Sequence, residues 1–75
     1  MSSLDTVKSI LEKRGVNVAN LKEDDSLQEL GLDSLDLVEV MLEIEDTLGI
    51  EFSSNEIASL TTLKDVAELI NSKKA

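Results

Sequence analysis

Apolar residues recur at helical rather than alternating spacing along nearly the whole chain. Leu4, Val7, Ile10 and Leu11 fall at i, i+3, i+6 and i+7, which predicts a helix over residues 4–14. Its last turn holds Lys13 and Arg14, cations suited to the negative end of the helix dipole. A second helix is predicted over residues 34–48, where Leu37, Val40, Met41, Ile44 and Leu48 fall within one arc about 100° wide, an ordinary core stripe. Asp33 is placed to cap it, Asp36 lies in its first turn, and Gly49 ends it. Ser53-x-x-Glu56 reads as a capping box opening a short helix from Ser54 to about Ser59. Thr62-x-x-Asp65 starts a last helix with an inward stripe of Leu63, Val66, Ala67, Leu69 and Ile70, closed by Lys73 and Lys74. The three glycines, Gly15, Gly31 and Gly49, each stand where a helix needs positive φ just past its end.

The connection from Gly15 to Asp33 is long for so small a chain, and connections of that length are usually functional or partly structured. Ser26-Leu27-Gln28-Glu29 reads as a further capping box, predicting one helical turn before Gly31. Val16, Val18, Leu21, Leu27, Leu30 and Leu32 can pin the segment to the core. With no proline, repeat or low-complexity tract, residues 1–75 read as a single all-α domain. The expected architecture is a small antiparallel four-helix bundle: three principal helices, one short helix and a long first connection.

The second helix carries more apolar surface than a core needs. Leu35 and Leu42 project nearly opposite its core stripe, with Val38 between them and the core edge. Asp36, Glu39, Glu43 and Asp46 lie beside them. Isolated surface leucines are common, but apolar anchors rimmed by carboxylates also describe a docking face. Twelve of the sixteen acids lie between Glu23 and Glu56, and no Lys or Arg occurs between Lys22 and Lys64. Such a one-signed surface can simply confer solubility. It also repels itself, so its retention points to the steering of basic partners.

Composition narrows the chemistry. Seven Lys+Arg against sixteen Asp+Glu give a net charge of −9, which excludes nucleic-acid binding. Without cysteine there is no disulfide, zinc knuckle or thiol nucleophile, and without histidine no triad base or imidazole ligand. No Asp-x-Asp-x-Asp-Gly loop with a distal Glu exists, so an EF-hand is excluded and no metal site is expected. Weak divalent stabilisation at Asp33, Asp36 and Glu39 is compatible with the carboxylates. No apolar run approaches the ~20 residues that span a bilayer, and the first residues show no signal-peptide pattern. These features point to the cytosol, to no stable membrane association and to no enzyme activity of the chain's own.

Ser34 opens the second helix after Gly31-Leu32-Asp33. Serine there is most simply part of an N-cap region. A helix start also presents unpaired N–H groups and a positive dipole end, where an attached phosphate is favourably placed. Ser34 has no His or Cys to activate it, so any chemistry on its hydroxyl belongs to another protein.

Gly31-Leu32-Asp33-Ser34-Leu35-Asp36-Leu37-Val38-Glu39, followed by Met41-Leu42-Glu43-Ile44-Glu45, resembles the acyl carrier proteins of dissociated fatty acid synthesis. The likeness continues through Gly49-Ile50-Glu51-Phe52 and Leu60-Thr61-Thr62-Leu63-Lys64-Asp65-Val66, nearly the whole chain. It implies that Ser34 receives 4′-phosphopantetheine from coenzyme A through a phosphopantetheinyl transferase. The arm's thiol would then carry growing acyl chains as thioesters. It further implies that Leu35, Asp36, Glu39, Leu42, Glu43, Asp46 and Ile57 meet basic patches of fatty acid synthesis and acyl transfer enzymes, with the carrier a monomer. Leu37, Val40, Ile44, Phe52 and Leu60 are the implied lining for an acyl chain between the helices. Leu32 stands where many members have Ala, and Phe52-Ser53-Ser54-Asn55 replaces a more usual Ile-Pro followed by acids. The last helix lacks the aromatic often found near its end. A carrier of a polyketide, nonribosomal peptide or other specialised pathway is the second reading, and an unmodified acidic adaptor using Leu35 and Leu42 the third.

Overall fold

Local devices close both ends of α2 and the start of α3, and they set those element boundaries. The computed structural model describes residues 3–74, which form α1 (Ser3–Lys13), α2 (Ser34–Leu48), α3 (Ser54–Ala58) and α4 (Leu63–Lys74). In α2 the Asp36 N–H donates to Asp33 Oδ1 at 2.8 Å, and the Asp33 N–H to Asp36 Oδ2 at 3.5 Å. The helix stops at Gly49 (φ 69°, ψ 35°), whose N–H reaches the Glu45 carbonyl. That left-handed conformation burdens any residue with a Cβ. Ser53 and Glu56 close a reciprocal box on α3, with the Ser53 N–H 2.8 Å from Glu56 Oε1 and the Glu56 N–H 3.1 Å from Ser53 Oγ.

The start of α4 is closed partly by the long connection. Asp65 Oδ2 accepts from the Thr61 and Thr62 N–H groups at 3.0 and 3.1 Å, and Thr62 Oγ1 accepts from the Asp65 N–H at 3.2 Å. The next two donors, on Leu63 and Lys64, reach the carbonyls of Asp25 (3.1 Å) and Glu23 (2.7 Å). The first-turn donors of α4 that no helix could satisfy internally are thus all paired. An antiparallel bridge joins Ser26 to Thr62 at the same place. The connection is therefore ordered, as its apolar residues predict. The helical turn expected after Ser26 is present as one turn, with the Leu30 N–H on the Ser26 carbonyl at 3.3 Å. The expected side-chain box between Ser26 and Glu29 is absent among the described residues. Ser26 instead sits opposite Thr62 in a bridge closed by its neighbours, the Leu27 N–H donating to the Thr61 carbonyl at 3.0 Å and the Leu63 N–H to the Asp25 carbonyl at 3.1 Å.

Helix α1 packs on both α2 and α4, and α3 packs on α2. The core is the meeting of the predicted stripes: Val7, Ile10 and Leu11 from α1, Val40, Met41 and Ile44 from α2, and Leu63, Val66 and Ile70 from α4. Leu27 and Leu32 from the connection are buried with them, while Leu4, Leu37, Leu48, Phe52 and Leu69 pack at the edges. The Cα radius of gyration is 11.1 Å, near the ~11 Å expected for a well-packed chain of this length. No residue of α3 is fully buried. It is positioned by its box, by Lys73 Nζ at 2.9 Å from Glu56 Oε2, and by Glu45 Oε2 accepting from the Phe52 N–H at 2.7 Å. Among the described residues, no helix is long and apolar enough to cross a membrane.

Candidate functional site

Ser34 is the first residue of α2 and is exposed. Among the described residues its hydroxyl makes no hydrogen bond, whereas several others are committed. Ser53 Oγ and Thr62 Oγ1 cap helices, and Ser59 Oγ donates to the Glu56 carbonyl at 2.8 Å. Of the four donors at the start of α2, those of Asp33 and Asp36 are taken by the reciprocal box, and among the described residues the N–H groups of Ser34 and Leu35 have no partner. The positive end of α2 is correspondingly tempered by two carboxylates. A helix end is equivalent to roughly half a positive charge, and Asp33 and Asp36 together exceed it. What the site offers an attached phosphate is open solvent and two free N–H groups, rather than the strongly positive tip that the helix start alone suggests.

Ser34 borders a groove of about 570 Å³ between the start of α2, α3 and the long connection. Leu27, Leu32, Leu37, Val38, Ile57 and Leu60 supply its apolar surface, and Gln28, Ser54 and Thr61 are among its polar lining. The turn that buries Leu27 and Leu32 and the ties that hold α3 therefore shape the same groove. Of the implied acyl-lining residues, Leu37 and Leu60 face it. Val40 and Ile44 do not, being 2% and 0% exposed within the core, and Phe52 lies outside the lining as well. Val38, Leu27 and Leu32 also line the groove. A 3.6-residue period identifies the buried side of α2, but the position of α3 decides which buried-side residues remain next to open space.

The second apolar strip on α2 is real: Leu35 is 66% exposed, Leu42 52% and Val38 38%. Asp46 lies beside the strip and is exposed, while Ile57 is half-buried against the groove. Asp36 is half-buried in the capping box. Glu39 and Glu43 are engaged by α1 and the turn that follows it. Arg14 lies 3.1 Å from Glu39 Oε1 and 3.3 Å from Glu43 Oε1, and Lys13 Nζ lies 3.0 Å from Glu43 Oε2. The Lys13 hydrogen bond, followed by the charges of Lys13 and Arg14, lowers the Glu43 pKa from its ordinary value. Sequence reasoning does not foresee this contact. The acid pair Glu39 and Glu43 at i, i+4 and the basic pair Lys13 and Arg14 are visible in the sequence, but nothing in it says that they meet. Among the described residues, no group of carboxylates is arranged to hold a metal ion.

Two comparisons bear on this site. Residues 5–70 match the family model described as phosphopantetheine attachment site. The fold is similar to the crystal structure of an acyl carrier protein from Thermotoga maritima, with a TM-score of 0.88 and 25% sequence identity. That match covers 95% of this chain and 85% of the other.

Proposed function

The chain belongs to the acyl carrier proteins of the phosphopantetheine attachment site family, and on that premise we propose that Ser34 Oγ is the attachment oxygen and that the cargo is the growing chain of fatty acid synthesis. It is a carrier rather than an enzyme, and covalently bound phosphopantetheine is its cofactor. When bound, that group supplies the thiol that the cysteine-free sequence lacks, so acyl chains can be held as thioesters.

The observation that carries the assignment is the free, exposed hydroxyl of Ser34 beside an apolar groove. Asp33 and Asp36 fix the first turn and hence the direction in which Ser34 presents its oxygen. The chain has no histidine or cysteine to take the hydroxyl proton. That proton must leave to a group on the transferase, so the site's own task is presentation. Leu37, Val38, Ile57 and Leu60 then offer apolar surface next to the attachment point, where cargo methylenes leave water at about 0.8 kcal/mol each when fully buried.

The exposed strip of Leu35, Val38 and Leu42, with Asp46 alongside, supports docking of enzymes that place an apolar pocket and a basic rim over α2. Asp33 before the serine and the acid-rich α2 support the fatty acid pathway. The test is reconstitution: the modified carrier is supplied with malonyl transferase, condensing and reducing enzymes, and its mass is followed. Stepwise two-carbon growth supports the reading. A carrier that takes the arm but is neither loaded nor extended would instead serve another acyl pathway.

A further inference from the structure

The acidic flank of α2 is already occupied from within. Arg14 bridges two carboxylates one helical turn apart, Glu39 at 3.1 Å and Glu43 at 3.3 Å, while Lys13 takes the other Glu43 oxygen at 3.0 Å. Both oxygens of Glu43 are thereby engaged. Two acids and two bases sum to no net charge over this part of α2. An approaching cation thus meets a closed network, although the sequence around it is strongly anionic. On the other side of the acidic row, Leu35, Leu42 and Asp46 are exposed and, among the described residues, carry no such cover. The planar fork of Arg14 suits this role, because one side chain can hold two separate carboxylates. The pairs are partly solvated, with the Arg14 side chain 31% exposed and Glu39 49%. Pairs of that kind contribute little to stability and exchange readily with competing ions.

We propose that Arg14, assisted by Lys13, is an intramolecular competitor for the cations of docking partners and so sets which partners bind this carrier. A partner whose basic residues reach Glu39 and Glu43 docks only by displacing Arg14. The modifying transferase is assigned to this class, whereas a partner that relies on Leu35, Leu42 and Asp46 alone docks without displacing Arg14. The inference rests on the reading of α2 as the docking face.

Transferase kinetics on the full chain test it, with pantetheine attachment followed by intact mass. Arg14→Gln is compared with Lys64→Gln, which removes one positive charge at an exposed position on α4 outside the network. At about 20 mM salt, Arg14→Gln should raise kcat/KM about threefold to tenfold, mainly through KM, and the gain should vanish near 300 mM. Lys64→Gln should produce less than half the gain. Arg14→Lys, which keeps the charge but loses the fork, should fall between the parent and Arg14→Gln, and it carries the test if Arg14→Gln loses helicity. Equal or slower modification of the Arg14 variants, or a gain matched by Lys64→Gln, would overturn the proposal. If the parent itself takes no arm, the attachment reading fails instead.

Discussion

Asp33 and Asp36 cap each other across the first turn of α2, with the Asp36 N–H 2.8 Å from Asp33 Oδ1 and the Asp33 N–H 3.5 Å from Asp36 Oδ2. Ser34 lies between them in sequence and takes no part in the exchange. The arrangement separates two tasks that a serine at a helix start would otherwise combine. The aspartates close the helix, and the hydroxyl stays free.

Replacing Asp33 with Ala therefore removes a cap without touching the attachment oxygen. The expected loss is about 1 kcal/mol, or about 4–8 °C in Tm for a domain of this size. Pantetheine attachment should slow because the first turn frays, yet it should still go to completion. Calorimetry and timed intact-mass spectra check the two halves. An unchanged Tm would mean that the cap is not what fixes this turn.

Asp65 supports a pH prediction of definite sign. Hydrogen bonds from the Thr62 and Thr61 N–H groups lower its pKa from the ordinary 3.8. A carboxyl depressed in the folded state contributes stability that is fully present above its unfolded pKa and is lost as pH falls through the folded value. Asp65→Asn should thus lower Tm at pH 7, and the gap to the parent should close below pH 3.8 as Asp65 itself becomes neutral. Melting curves at neutral and acidic pH decide it. A gap that stays constant would assign the loss to packing rather than charge.

Salt sets two effects against each other. The net charge of −9 repels itself across a body measuring 28 × 25 × 20 Å. The ion pairs that oppose this are partly exposed. The Debye length shortens from about 30 Å at 0.01 M to about 10 Å at 0.1 M, so added salt screens the repulsion across the whole molecule. Exposed pairs have little to lose. Tm should therefore rise over this range, and magnesium should act in the same direction at lower concentration. A fall in Tm would show that the network of Lys13, Arg14, Glu39 and Glu43 dominates the electrostatics.

Leu42→Asp should leave the fold within about 0.5 kcal/mol of the parent, because the side chain is 52% exposed. It should weaken partner binding at least about tenfold if Leu42 is an anchor of the docking face. Titration of a condensing enzyme against parent and variant reads this directly. Equal affinities would reduce the strip to scattered surface leucines.

The helices could be read from local chemistry because their boundaries are local. Asp33, Ser53, Thr62 and Gly49 act within a few residues of themselves, so the observed helix ends follow the expected ones closely. The core stripes follow equally well, since a period of 3.6 identifies a buried face without naming its neighbour. Relationships across helices were out of reach. Nothing in the spacing brings Arg14 onto Glu39 and Glu43, or carries the Asp25 and Glu23 carbonyls to the start of α4. Spacing likewise groups Leu37, Val40 and Ile44 on one side of α2, whereas packing buries Val40 and Ile44 in the core and leaves Leu37, with Val38 and Ile57, at the groove. Ser34 stands out in sequence by its motif, and Asp33 and Asp36 are legible as a cap and a first-turn acid, but their reciprocal box, which leaves the Ser34 hydroxyl outside it, is visible only in the cap geometry.

We assign the arm to the oxygen of Ser34. Ser54 offers the sharpest control, being an exposed serine that begins α3 and lines the same groove. Parent, Ser34→Ala and Ser54→Ala are each incubated with coenzyme A, magnesium and a phosphopantetheinyl transferase, then measured by intact mass and peptide fragmentation. The parent and Ser54→Ala should each gain one phosphopantetheine group, mapped to Ser34, while Ser34→Ala remains at its starting mass. A modified Ser34→Ala, or a group mapped to any other residue, would contradict the account.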